Sequence, residues 1–316
     1  MCSSRALQHL SSICQQQRMV MDLDNLKLQP EPRSGRKQSE MLLAVEKFCE
    51  DQLEKFCAKA QHIYEELGQW AADYFITESI KKYKKTVDIE SGIFAGWRSN
   101  EKAYLLRILN KVHIANFTTG ETPQVSSKLD RLISFLTENE QPDFSGLVFV
   151  QQRATVSVMS ALLSIHPRTR NHFRCAPYVG LSNSANRKQN IGELLDPRAM
   201  CDTLEDFRNR RKNLIISTDV LEEGIDITAC HMVICFDKIP NLKSFIQRRG
   251  RAQQEKSTYA IMLASNDTSA NLTDFEELEE EMLLIYQNDN RLRQRASALE
   301  SIQEDFPYKF RVESTE

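Results

Sequence analysis

The chain reads STDVLEEGIDI at residues 217–227 and QRRGRA at residues 247–252. A short apolar run, LII at 214–216, leads into the first stretch, and a second run, MVICF at 232–236, comes before the other. A strand that ends in Ser-Thr-Asp and turns through two acids into Gly-Ile-Asp sets backbone amides, a hydroxyl and a carboxylate at the carboxyl edge of a sheet. The arginine-rich turn beyond the next strand directs guanidinium groups at the same edge. In open parallel sheets this is the edge at which ligands bind.

Working outward, residues 120–265 alternate between helix and strand patterns. Helices are expected at 126–136, 155–164 and, broken near Pro197, within 190–211. Strand-length apolar runs fall at 147–150, 214–217, 232–236 and 259–263, with a weaker one at 177–180. This alternation predicts a parallel α/β sheet covered by helices on both faces. Residues 41–115 read instead as a helical subdomain. Val45, Cys49, Leu53, Phe56, Ala60, Ile63, Leu67, Trp70 and Tyr74 recur at three- and four-residue steps, drawing one apolar stripe down a long helix that bends at Gly68. A second helix is expected at 100–112. Residues 1–40 are polar, with Pro30, Pro32 and Gly35 close together, and read as a linker or poorly ordered start. Residues 270–305 return to helical spacing as an arm, and 306–316 form a polar tail.

Composition narrows the classes. Hydrophobic residues make up 41% and charged residues 27% of the 316, which suits a globular protein with a core. The formal net charge of −3 gives no global attraction to nucleic acid, so any such binding needs a local basic face. None of the eight cysteines forms Cys-x-x-Cys, and no histidine pair has zinc spacing, so neither a metal site nor a disulfide framework is expected. Reduced thiols and the lack of a signal peptide or a long apolar segment point to an intracellular protein.

Several stretches carry a family resemblance. GLVFVQQR at 146–153 resembles motif IV of superfamily 2 helicases, and 217–227 and 247–252 resemble motifs V and VI. DQLEKFCAKAQHIYEELGQWAADYFI at 51–76 is similar to the helical insertion of the Dicer and RIG-I-like branch. HMVICFDKIPNLKSFIQRRGRA at 231–252 is close to the fungal Dicer-like form. Residues 275–312, with EELEEEML, ASALES and FRVEST, resemble the helical arm that follows the domain. The resemblance implies a RecA-like, P-loop NTPase-like second lobe, with ATP and Mg2+ held mainly by a first lobe. No Gly-x-x-x-x-Gly-Lys-Ser/Thr loop, acidic box or ribonuclease III carboxylate signature occurs in the 316 residues.

The resemblance also supplies candidate roles. Arg251 corresponds to an arginine finger reaching ATP, with a solvated helix face as its alternative, and Gln247 and Arg248 are expected to line the same cleft. Gln253 stands where the family usually has a further arginine, and an amide cannot replace that charge. Thr218 can give a hydroxyl to an RNA phosphate, Gly224 permits a tight turn, and Asp226 accepts from a ribose hydroxyl or a motif VI arginine, unless it only caps the turn. Glu222 and Glu223 read as solvated, as does the acidic run 276–281. Gln151 and Arg153 follow a strand and are placed to touch RNA backbone, although Arg153 equally suits a helix start. Lys81, Lys82, Lys84 and Lys85 form a basic cluster that is either an RNA-backbone contact or a solvated helix end. Trp70, Tyr74 and Phe75 read as core rather than base-stacking residues.

Two functions are therefore expected. In the first, the chain is the C-terminal half of an ATP-dependent RNA helicase module acting on double-stranded RNA with a first helicase lobe. In the second, it is an ATP-independent RNA-binding or partner-docking module.

Overall fold

The computed structural model describes residues 4–27, 33–89, 94–117, 121–180, 190–194, 202–222, 229–254, 256–263 and 272–287. Five strands form one parallel sheet: β1 (Gly146–Phe149), β2 (Cys175–Tyr178), β3 (Leu214–Ser217), β4 (Met232–Cys235) and β5 (Thr258–Ile261), in the order β2-β3-β1-β4-β5. β1 pairs in register with β3 and β4, Leu147 facing Ile215 on one side and Val233 on the other. β1, β3 and β4 are apolar and buried throughout, as strands covered on both faces must be. Alternate residues go to opposite faces. Val148, Ile216 and Ile234 pack with α5 (Ser127–Glu138) and α6 (Arg153–Ile165), while Leu147, Ile215 and Val233 pack with Phe207 of α7 (Thr203–Arg208). Beside them α8 (Leu242–Arg249) lays Phe245 against Cys235 and Ile239.

The helical subdomain comprises α1 (Arg5–Lys27), α2 (Arg33–Leu67), α3 (Gln69–Thr86) and α4 (Ser99–Leu109). Its first helix corrects the reading of 1–40 as a linker. Ala6, Leu7, Leu10 and Ile13 are sparse on a polar background, but they share one helix face and are buried in the core formed with α2 and α3. Burial of that stripe, rather than local propensity, makes the segment helical.

The long apolar stripe holds from Val45 to Leu67 and then shifts. Gly68, at φ 101°, separates two helices, and beyond it Ala71, Ala72, Phe75 and Ile76 become the buried residues. Trp70 and Tyr74 are half-buried, stacked at 4.8 Å, with Phe117 tilted against both. The break exists because the α2–α3 junction docks on the start of α5. Ser126 donates its amide to Leu67 O (3.0 Å) and its hydroxyl to Glu66 O (2.5 Å), and Trp70 donates its amide to Gln124 O (3.2 Å). A side chain at Gly68 would place Cβ 2.5 Å from Ser126 N.

Beyond the sheet, α9 (Leu272–Gln287) lays Phe275 on Phe245 of α8 at 5.4 Å. The remainder of the arm and the tail expected at 306–316 lie outside the described residues, as do residues 195–201 of the helical stretch expected within 190–211, in which α7 is the described helix. Burial pushes the thiols of Cys49, Cys175 and Cys230 up to about 12, which keeps them neutral. Among the described residues no helix is long and apolar enough to cross a membrane.

Gly68→Ala combines a disfavoured φ with a backbone clash and is expected to cost at least about 2 kcal/mol in urea unfolding. Gly96→Ala, where an added Cβ meets nothing within 4 Å, is the matched control and should change stability little. Equal unfolding midpoints for the two variants would contradict the junction's role.

Candidate nucleic-acid and nucleotide edge

The carboxyl ends of β1, β2 and β3 and the start of α8 enclose an open cleft of about 750 Å³. Gln151 and Arg153 reach it from β1, Gly180 from β2, and Thr218, Asp219 and Val220 from β3. Glu222 and Pro240 also line it, and Asn241, Lys243, Ser244 and Gln247 close it from α8, which Asn241 caps by accepting from Ser244 N at 2.9 Å. Four of the residues singled out in the sequence therefore meet in one place: Gln151, Arg153, Thr218 and Gln247.

Arg248 does not line the cleft, contrary to expectation. It is only 2% exposed, lies 4.9 Å over the Phe149 ring, and bonds Glu222 Oε1 through Nε at 2.7 Å. Burial alone would depress its pKa, but Cys235 and Glu222 outweigh that and the guanidinium stays charged. Helical periodicity explains the misreading. Gln247 and Arg248 are adjacent on α8, so their side chains leave it about 100° apart and cannot both face the cleft.

Glu222 is likewise not solvated. Its second oxygen accepts from Ser244 Oγ at 3.0 Å, and its backbone carbonyl accepts from Arg251 Nη2 at 3.1 Å. One acid of the 217–227 stretch thus binds two arginines of the 247–252 stretch, Arg248 through its carboxylate and Arg251 through its carbonyl. The sequence offers a signal for this, a pair of acids followed by a glycine ahead of an arginine-rich stretch, but not which of the two acids is used. Gly224, Asp226 and Glu223 lie outside the described residues.

Arg251 is half-buried beside Glu222, outside the cleft lining, with its carbonyl accepting from Cys230 N at 3.1 Å. Gln253 is exposed just beyond it. Lys81, Lys82, Lys84 and Lys85 lie on α3 and line no part of the cleft. Lys81 pairs with Glu78 and Lys82 donates to two backbone carbonyls, while Lys84 and Lys85 are exposed. In the acidic run, Glu276, Glu277, Glu280 and Glu281 are exposed, but Glu279 pairs with Arg249 on α8.

One polar network went unread in the sequence. Asp237, 10% exposed after β4, accepts from Gln151 N at 2.7 Å and from Lys128 Nζ at 3.3 Å. Lys128 in turn pairs with Glu66 at the end of α2. The backbone of the 146–153 stretch is thereby tied to the helical subdomain through residues far apart in sequence, which no local pattern could reveal.

Comparison with known proteins agrees with this geometry. Residues 127–255 match the family model described as the helicase conserved C-terminal domain. The chain is 49% identical over 316 residues to Dicer-like protein 2-1 of Aspergillus niger, covering 99% of this chain and 23% of that protein. It is 47% identical over 293 residues to Dicer-like protein 2 of Aspergillus fumigatus (92% and 21%) and 38% identical over 275 residues to Dicer-like protein 2 of Phaeosphaeria nodorum (85% and 20%). The chain spans less than a quarter of the length of these relatives. The parallel sheet with its motif-bearing edge is the C-terminal RecA-like lobe of a superfamily 2 helicase. Within that class the chain belongs with the Dicer-like proteins.

Removing one partner of the Glu222–Arg248 pair strands a buried charge. Glu222→Ala is expected to cost about 3–5 kcal/mol in urea unfolding, and the Glu222→Leu/Arg248→Met double variant distinctly less. A loss below about 1 kcal/mol in the single variant would show that the pair does not hold the two stretches together.

Proposed function

We propose that this lobe grips double-stranded RNA along the cleft and supplies motifs IV, V and VI to a composite ATPase site completed by a first helicase lobe. The observation that supports it most is the convergence of Gln151, Arg153, Thr218 and Gln247 on one sheet edge, with Arg251 fixed beside them by Glu222. RNA duplexes are recognised chiefly through phosphates and 2′-hydroxyls. The cleft offers such groups a hydroxyl on Thr218, an amide on Gln151, and the cations Arg153 and Lys243.

The residues present fit part of an ATP site and not the whole of it. Arg251 can be presented to a nucleotide bound on a facing lobe, where a guanidinium stabilises charge developing on the transferred phosphoryl group. In this reading Mg2+ and the β- and γ-phosphates are held by the first lobe, as the lack of a Gly-x-x-x-x-Gly-Lys-Ser/Thr loop in the 316 residues suggests. The exposed amide of Gln253 at the usual arginine position weakens the ATPase half of this reading and is the feature that favours the alternative, an ATP-independent RNA-binding or partner-docking module.

Three outcomes are expected. The purified chain hydrolyses no ATP; turnover that disappears with Arg251→Ala would contradict this. Binding to an RNA duplex is weak and salt-sensitive. One to two cationic contacts give a slope of about −0.9 to −1.8 in log affinity against log salt, hence a loss of roughly 3- to 12-fold between about 50 and 200 mM. Affinity that ignores salt, or no binding at low salt, counts against the RNA grip. Joined through a flexible linker to a Dicer-like first lobe with an intact phosphate loop, the chain should support slow, RNA-stimulated ATP turnover. Gln253→Arg should raise it by about 10-fold, equivalent to about 1.4 kcal/mol of barrier. If neither Gln253→Arg nor Arg251→Ala alters an inactive fusion, the binding-module reading replaces the motor.

A further inference from the structure

Residues 190–194 are the described part of the connection between β2 and α7, and the helical subdomain holds them from three sides. Lys59 of α2 donates to Asn190 Oδ1 at 2.8 Å. Lys82 of α3 donates to the carbonyls of Glu193 and Leu194 at 2.9 and 3.0 Å. The Phe75 ring closes over Gly192, where an added Cβ would stand 2.6 Å from the ring. Asn190 Oδ1 also accepts from Gly192 N at 3.1 Å, which tightens the turn. So held, the segment presents the Glu193 carboxylate to Arg153 of the cleft, Oε1 to Nε at 3.4 Å. Arg153 meanwhile donates Nη1 to Gly180 O at 2.8 Å, which keeps its guanidinium at the cleft wall.

The arrangement has a chemical meaning. A carboxylate and a phosphate oxygen present the same charge and accept from the same guanidinium edge. The Arg153–Glu193 pair is long, and its side chains are 31% and 24% exposed, so it is weak and exchangeable. Lys82 does not line the cleft; it donates to the backbone carbonyls of Glu193 and Leu194.

We propose that Glu193 is a built-in competitor that occupies Arg153 in place of an RNA phosphate, and that Lys82 is the positioning residue that holds Glu193 there. The inference rests on the proposed RNA grip and assigns it an internal brake set by the helical subdomain. It also reassigns Lys82. A lysine that contacts RNA strengthens binding, whereas one that clamps Glu193 weakens it.

The test is a fluorescence-anisotropy titration of the full chain with a short blunt RNA duplex over a salt series. Glu193→Gln should bind roughly 5-fold tighter near 0.1 M salt and steepen the salt slope by about 0.9, the value for one added phosphate contact. Lys82→Met should also tighten binding, by a smaller factor. Arg153→Gln should weaken binding, and Glu193→Gln should have no further effect upon it. Thermal melts of the variants serve as the check on folding, because a purely structural role would move the melt and leave the salt slope alone. Unchanged or weaker binding by Glu193→Gln overturns the competitor, while weaker binding by a folded Lys82→Met variant overturns the clamp. If the wild-type chain binds no duplex at any salt, the RNA grip itself fails and the brake with it; if it binds and Glu193→Gln matches it, only the brake fails.

Discussion

The buried pair between Glu222 and Arg248 is the constraint on which the edge of this lobe depends. It joins the loop after β3 to the end of α8, two segments whose strands are not neighbours in the sheet. A buried ion pair is a poor source of net stability, because desolvating both charges offsets much of their attraction. What it does supply is geometry. With Arg248 fixed by Glu222 and stacked over Phe149, Gln247 is left facing the cleft, and the turn through Gly250 brings Arg251 back to the carbonyl of Glu222. The three consecutive polar positions of α8 are thus divided. Arg248 is structural, Gln247 faces the cleft, and Arg249 turns outward to Glu279 of α9.

The helical subdomain is more than a neighbour of the sheet. Gly68 lets α2 and α3 meet the start of α5 closely enough for backbone hydrogen bonding. From that junction Glu66 and Lys128 lead to Asp237, and Asp237 fixes the amide of Gln151. On its other flank the same subdomain holds residues 190–194. Both ends of the cleft's β1 side are therefore referenced to the helices, so a displacement of the subdomain would be felt at Gln151 and Arg153 together.

Much of this was legible in the sequence because it is local. Apolar runs bounded by turn residues marked every strand to within two residues, and the 217–227 stretch begins at the carboxyl end of β3 as its composition required, whereas 247–252 ends α8 and turns back beside Cys230, ahead of β4. The first helix was missed because its apolar face is only Ala6, Leu7, Leu10 and Ile13 on a polar background, and such a face becomes helical through tertiary burial. The division of labour among Gln247, Arg248 and Arg251 was illegible for a different reason. A motif gives the residue types, but whether a guanidinium faces solvent or a buried carboxylate depends on a partner elsewhere in the chain. The same holds for Lys82, read in its run of lysines as an RNA-backbone contact or a solvated helix end, which donates to the carbonyls of Glu193 and Leu194.

The central claim is that RNA lies on the carboxyl edge of the sheet and not on the basic end of α3. Site-specific photocrosslinking tests it most directly, with a photoreactive residue at the exposed Asp219 on the cleft or at the exposed Lys84 on α3, each mixed with a radiolabelled RNA duplex at low salt. The account predicts crosslinks from position 219 that fade as salt rises, and none above background from position 84. Efficient crosslinking from position 84 with none from position 219 would contradict it.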